Sequence, residues 1–135
     1  DGATSLITGS STLTLNNTGL YVISALGSIF VENSIIWGND ADDTVNLTAS
    51  EVSHSNIGDG VGVGQNGNIN GDPLFVTLEG VGDYFLSQTG AGQEEQSPCV
   101  DSGNKDANDV GLNNRTTRTD GAKDEDVVDM GFHYP

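Results

Sequence analysis

Apolar residues recur at every second position in the first part of the chain, as Leu13 and Leu15, Leu20 and Val22, Ile29 and Val31, then Ile35 and Trp37. A period of two is that of a strand with one face buried, because successive side chains of an extended backbone point to opposite sides. No stretch carries an i, i+3, i+4, i+7 apolar pattern over more than two turns, so little helix is expected. Asn16-Asn17, Gly27, Gly38-Asn39 and Asp59-Gly60 stand between the strands. These residue types accept left-handed backbone or bond their own main chain, and they predict tight turns.

A loose repeat adds an architecture. Asn33-Ser34-Ile35 is echoed by Ser55-Asn56-Ile57, which sets Ile35 and Ile57 22 residues apart. That spacing suits one turn of a solenoid, in which each strand pairs in parallel with its equivalent one turn away and Asn at a repeated corner bonds its neighbour's backbone. The reading predicts parallel pairing in the first 60 residues, with Ile35 stacked on Ile57 and both facing inward. An antiparallel sandwich of short strands also fits the periodicity. Gly58, Gly60, Gly62, Gly64, Gly67 and Gly71 mark a loop, expected to be mobile. Beyond it, Asp72-Pro73-Leu74-Phe75-Val76 and Asp83-Tyr84-Phe85-Leu86 read as two short strands that close over the end of a stack. Residues 90–123 are polar and irregular.

The chain of 135 residues suits one domain, with residues 1–60 as coils and 61–135 as the Gly-rich loop and C-terminal capping region of that domain. With 34% hydrophobic and 6% aromatic residues a thick core is not expected. The formal charge is −16, and residues 1–100 hold 12 acidic side chains and no Lys or Arg. Such a surface cannot neutralise phosphates, which argues against nucleic acid as a partner, repels anionic membranes and attracts divalent cations. Cys99 is the single cysteine, so no intrachain disulfide forms and the class of small disulfide-stapled domains is excluded. No apolar run reaches a membrane-spanning length. Beginning at Asp1, the chain reads as a processed or excised segment. Sequons at Asn16, Asn46 and Asn114 matter only in a glycosylating host.

Several segments together resemble the C-terminal region of bacterial secreted right-handed parallel β-helix repeat proteins, the pectate-lyase-like superfamily. They are Asn33-Ser34-Ile35-Ile36-Trp37-Gly38-Asn39, His54-Ser55-Asn56-Ile57, residues 67–76 from Gly67 to Val76, Asp83-Tyr84-Phe85-Leu86, Ser97-Pro98-Cys99-Val100-Asp101-Ser102-Gly103-Asn104 and Val128-Asp129-Met130-Gly131-Phe132-His133-Tyr134. The resemblance implies an all-β fold, with the final coils of a right-handed parallel β-helix followed by an irregular C-terminal cap. It also implies an extracellular or cell-surface location. Members include adhesins, surface proteins and polysaccharide-processing enzymes, so it names no single activity. Relatives carry many coils upstream. The first coil here is therefore expected to present an open edge to upstream coils or to another copy, and head-to-tail stacking of copies would build a filament.

Candidate chemistry is sparse. Lyase cleavage beside a uronate needs a base, commonly Arg or Lys, and residues 1–100 have none. With 20 acids some pair always satisfies the spacing of a glycosidase, so Asp40, Asp42, Asp43 and Asp59 are read as turn residues. His54, read as a solvent-facing strand residue, and His133 have no zinc-ligand spacing. The acidic run from Asp120 to Asp129 places hard oxygen donors around Gly121, and Asp120, Asp124, Asp126 and Asp129 are candidate ligands for a structural Ca2+. Asp101, Asp106 and Asp109 form a weaker group of the same kind. Trp37 and Tyr84 are candidate platforms for extracellular polysaccharide, though a lone Trp in a strand also serves as core filling. Cys99 is expected to be buried and chemically quiet. The expected function is a non-catalytic extracellular structural or surface module for adhesion, matrix or filament assembly, or carbohydrate contact. The alternative is a fragment of a polysaccharide lyase or hydrolase whose active site lies in upstream coils.

Overall fold

The computed structural model describes residues 6–22 and 29–135, so the turn expected at Gly27 lies outside the described residues. The chain is strand-rich, and its described helical content is two single-turn 3-10 segments, Ala49–Glu51 and Thr89–Ala91. Among the described residues ten short strands occur: β1 Leu6–Gly9, β2 Thr12–Leu13, β3 Thr18–Tyr21, β4 Ile29–Glu32, β5 Ile35–Ile36, β6 Asp42–Val45, β7 Val52–Ser53, β8 Asn56–Ile57, β9 Phe75–Leu78 and β10 Gly82–Leu86.

The first eight strands belong to three passes of the chain. β1, β4 and β7 pair in parallel, as do β2, β5 and β8, and β3 pairs in parallel with β6. The expected parallel pairing is therefore present, and the antiparallel sandwich is not what these strands form. Left-handed backbone falls at matching corners, at Ser10, Asn33 and His54 between the first and second strand of each pass. The residue after each corner is a serine, and these serines bond from pass to pass. Ser11 N–H donates to Ser34 Oγ at 3.3 Å, and Ser34 N–H donates to Ser55 Oγ at 3.2 Å. Each hydroxyl in turn donates to the carbonyl two residues back, that of Gly9, Glu32 and Ser53.

The serine rungs fix a register one residue away from the expected one. With Ser55 beside Ser34, Ile57 pairs with Ile36, and Ile35 pairs with Asn56. Ile35 and Ile57 are both fully buried but face opposite sides of the sheet. Ile36 and Ile57 point inward with Val31, Val52, Ile29, Val22 and Leu47, an apolar cluster fed from all three ladders. Ile35 points outward into a second cluster with Leu86, Cys99 and Met130. Alternation holds in β4, where Ile29 and Val31 are buried around exposed Phe30. It fails at Leu15, which takes the left-handed corner at φ 56° and is 74% exposed. A tight corner imposes its own backbone, and the side chain follows it out of the core.

The remaining chain is not arranged as expected. Residues 58–71 are a succession of bonded turns crossing the end of the third pass, with Ile69 bridged in parallel to Asn56. β9 and β10 form an antiparallel hairpin. Through Leu86, Phe75, Cys99 and Met130, the chain after Pro73 packs on the outward face of the β2-β5-β8 sheet and does not close over the end of the stack. The final segment runs along the stacking direction, since Gly131 N–H donates to Asn33 O and Phe132 N–H donates to Thr12 Oγ1 at 3.0 Å. Tyr134 stacks on Phe85 with ring centroids 4.0 Å apart, and a Cβ at Gly82 would lie 2.4 Å from that tyrosine ring.

Removing one rung tests this account. Ser55→Ala leaves the buried Ser34 N–H without its acceptor, and the expected loss is about 1–3 kcal/mol in chemical denaturation. Ile57→Ala should cost about 2–5 kcal/mol, and Leu15→Ala within about 0.5 kcal/mol of zero. A Leu15→Ala loss as large as that of Ile57→Ala would contradict the register.

Candidate functional site

A connected group of polar side chains lies in the layer on the sheet's outer face, where three segments meet. Strand β10 runs on into Ser87-Gln88, and Leu86 N–H donates to Thr117 O, which brings residues 116–117 alongside. The segment 128–134 is held between them by Thr116 and Tyr134, each donating its N–H to the other's carbonyl, and by Met130 N–H bonding to Cys99 O. The result is a cleft of about 410 Å3 bordered by Gln88, Asp101, Thr117, Arg118, Asp124 and Asp129.

Two carboxylates are buried at its base. Asp129, 3% exposed, accepts from Asp101 N–H at 2.7 Å and from Gln88 Nε2 at 3.2 Å, and it accepts the Thr117 hydroxyl. Burial pushes its carboxyl up to about 6 against these bonds, with Asp124 and Asp101 adding like charge. Asp124 Oδ2 accepts from Asp129 N–H at 3.0 Å and meets His133 Nε2 at 2.7 Å. His133 Nδ1 faces Gly131 O at 2.9 Å, and a carbonyl only accepts, so Nδ1 is protonated. Asp101 is exposed, and its carboxyl is raised by partial burial and by Asp124 and Asp126.

Oxygens of Asp101, Asp124 and Asp129 lie within 4.8 Å of one another. Of the four residues expected to hold a cation, the fold brings together Asp124 and Asp129 only. Asp120 is exposed and forms a bidentate pair with Arg118, at 2.7 and 3.0 Å, which lowers its carboxyl. Asp126 sits exposed at a left-handed corner, φ 59°, its carbonyl accepting Ala107 N–H. Asp101 takes their place, 28 residues before Asp129 in sequence. The weaker acidic group thus splits, and only its first member joins the cluster. Sequence spacing weighed neighbours along the chain, whereas the contact runs across two segments.

The other candidates are dispersed. Trp37 packs against the Ile35, Leu86, Cys99 and Met130 cluster, so it is core filling in the main. Tyr84 is half-buried, edge-on to Phe75 at 5.5 Å, and its N–H bonds to Tyr134 Oη. Neither aromatic lines the cleft. His54 is a left-handed corner residue and not a strand residue, and its ring lies against Gly67. Asp42 and Asp43 lie in β6, where Asp43 caps Asn39 N–H at 3.0 Å, and Asp59 accepts Thr44 N–H at 2.7 Å. Cys99 is fully buried, bonded by Asn56 Nδ2 at 3.1 Å, and burial pushes its thiol up to about 11, far from a nucleophile's range.

No protein-family model matches the chain, and neither a curated protein nor a solved structure shows significant similarity to it. The two Asp129 oxygens are bonded by three different segments, and Asp124 ties the chain end to the same point. Among the described residues, no helix is long and apolar enough to cross a membrane.

The pH dependence of folding follows from Asp129. Its folded value of about 6 lies above the ordinary 3.8, so between these values the folded state keeps a proton that the unfolded chain releases. This residue's contribution is therefore greatest below about pH 4 and is lost as pH rises through 6, a change on the order of 2–3 kcal/mol. Denaturation in chelator at pH 4.5 and 7 should show Asp129→Asn flattening the profile relative to wild type. Parallel profiles for the two proteins would contradict the assignment.

Proposed function

We propose that this chain is a non-catalytic extracellular structural module, the last coils of a right-handed parallel β-helix with a C-terminal layer, presenting a surface for adhesion, matrix assembly or carbohydrate contact. The observation that carries the reading is the set of three parallel ladders with left-handed corners and serine rungs at equivalent positions in successive passes. Only a chain that winds repeatedly in one direction places the same corner over itself in this way. The acidic, Lys- and Arg-free surface of residues 1–100 suits an exported protein that stays dispersed.

Two features favour this module over a fragment of a polysaccharide lyase or hydrolase. The outward face of the β2-β5-β8 sheet is covered by the C-terminal layer, through Leu86, Cys99 and Met130 packed on Ile35. The buried carboxylates serve as bond acceptors holding three segments, and Arg118 at the cleft edge is tied to Asp120. Incubation with a panel of acidic and neutral polysaccharides should release neither unsaturated uronate absorbance nor new reducing ends. Either product would establish the lyase or hydrolase reading.

A structural Ca2+ belongs to the same proposal, with Asp101, Asp124 and Asp129 as the oxygen donors whose proximity supports it. A ion bound only by the folded state raises Tm by mass action. Melting with millimolar Ca2+ and then with excess chelator should show a reversible rise, lost in Asp101→Asn. An unchanged melt rejects the ion.

A further inference from the structure

The two edges of the stacked passes are not equivalent. At the far edge the serine ladder does not stop at Ser55. Ser55 N–H donates to Asn68 Oδ1 at 3.2 Å, the position a fourth serine hydroxyl would occupy. Asn68 is 2% exposed, and its amide donates to Val52 O at 3.0 Å and to Gly62 O at 3.4 Å. The backbone around it completes the pairing: His54 N–H bonds to Asn66 O, Ile57 N–H to Ile69 O, and Ile69 N–H to Ser55 O. Yet 13 residues separate Ser55 from Asn68, against 21 between Ser34 and Ser55. The glycines at 60, 62, 64 and 67 all take positive φ, between 69° and 83°, and let the backbone cut across the end of the stack.

We propose that residues 58–71 are a foreshortened pass that closes this edge, with Asn68 as its terminal rung, so that a further strand-bearing pass adds only at the β1-β2-β3 edge. There the matching groups are open. Trp37 and Asp40 donate their N–H groups to Leu13 and Asn16 carbonyls, whereas the equivalent Thr14 and Asn17 N–H groups have no partner among the described residues. Leu15 and Tyr21, 74% and 58% exposed, stand on that first pass, and Phe132, 46% exposed, bonds to it through Thr12. The occupant that fits is a parallel pass of polypeptide with a corner N–H directed at Ser11 Oγ. It is not the far end of a second copy, because Asn68 and Ile69 already occupy that pairing. The inference rests on these pairings and not on the chain's being a surface module. It also opposes open-ended head-to-tail stacking.

Amide hydrogen exchange on the 15N-labelled full chain, read at Ser55, tests the closure. Asn68→Ala removes the acceptor and should speed Ser55 exchange on the order of tenfold, while Asn68→Asp keeps an acceptor and should retain protection. Asn70→Ala, whose amide reaches Gly58 O outside the ladder, should leave Ser55 unchanged. If Asn68→Ala does not fold, Asn68→Ser, too short to reach, serves for the same comparison. Sedimentation of the wild-type chain over a wide concentration range should show no open-ended growth. Equal Ser55 exchange in wild type and the shortened variant, or filaments of the wild-type chain, would overturn the proposal.

Discussion

The bond from a backbone N–H to a serine hydroxyl one pass away sets the geometry on which the rest depends. A parallel ladder of two-residue strands holds few backbone bonds, and a slip of one residue would turn every inward side chain outward. Ser11, Ser34 and Ser55 remove that freedom, because each hydroxyl is fixed by the carbonyl two residues back, and those of Ser34 and Ser55 accept the serine N–H of the pass before. The left-handed residue just before each serine turns the chain so that the hydroxyl points along the stack. Asparagines reinforce the same direction: Asn39 Nδ2 bonds to Leu13 O and Asn46 Nδ2 to Val22 O. The abundance of Asn and Ser thus satisfies backbone groups at corners, where short strands leave many of them free.

Once the register is set, each two-residue strand has one side chain for each face. Ile36 and Ile57 contribute to the inner cluster, and Ile35 is left on the outside. An outward isoleucine with Trp37 beside it makes an apolar strip that water would penalise, at roughly 1.5–3 kcal/mol for each large side chain left exposed. The C-terminal layer covers it. Met130, Cys99 and Leu86 pack on that strip, and the carboxylate network of Asp124 and Asp129 holds the segments that carry them. The candidate site and the packing layer are therefore one device, with polar bonds on its far side and apolar contacts against the sheet.

Burying two carboxylates is costly, and the structure offsets the cost in different ways. Asp124 is satisfied by bonds within the layer, meeting His133 Nε2 at 2.7 Å and accepting the Asp129 N–H at 3.0 Å. Asp129 accepts from an amide, a hydroxyl and a backbone N–H, all neutral donors, and its raised carboxyl records the desolvation that these bonds do not offset. Such an arrangement favours protonation or a cation, and both answers come from the same excess of negative charge. Arg118 does not supply the missing charge, since Asp120 two residues on holds it at the surface.

The sequence by itself determined the strand class and the turn positions at Gly38-Asn39 and Asp59-Gly60; its loose repeat pointed to parallel pairing but left an antiparallel sandwich open, and the pairing itself decided between them. Strand class and turns follow from local preference and from periodicity, which do not need a third dimension. The register was missed by one residue because Ile35 and Ile57 match in type, while the partner of Ser34 is decided by which hydroxyl meets which N–H. The 58–71 segment read as a loop because its glycines break both periods, and only the stack shows that Asn68 fills a rung. Asp101 joined Asp124 and Asp129, and Asp120 and Asp126 did not, because packing on the outward face of β5 brings the chain near 100 beside the chain near 129. Contacts between segments so far apart are set by which apolar side chains must be covered together, and tertiary structure alone decides that.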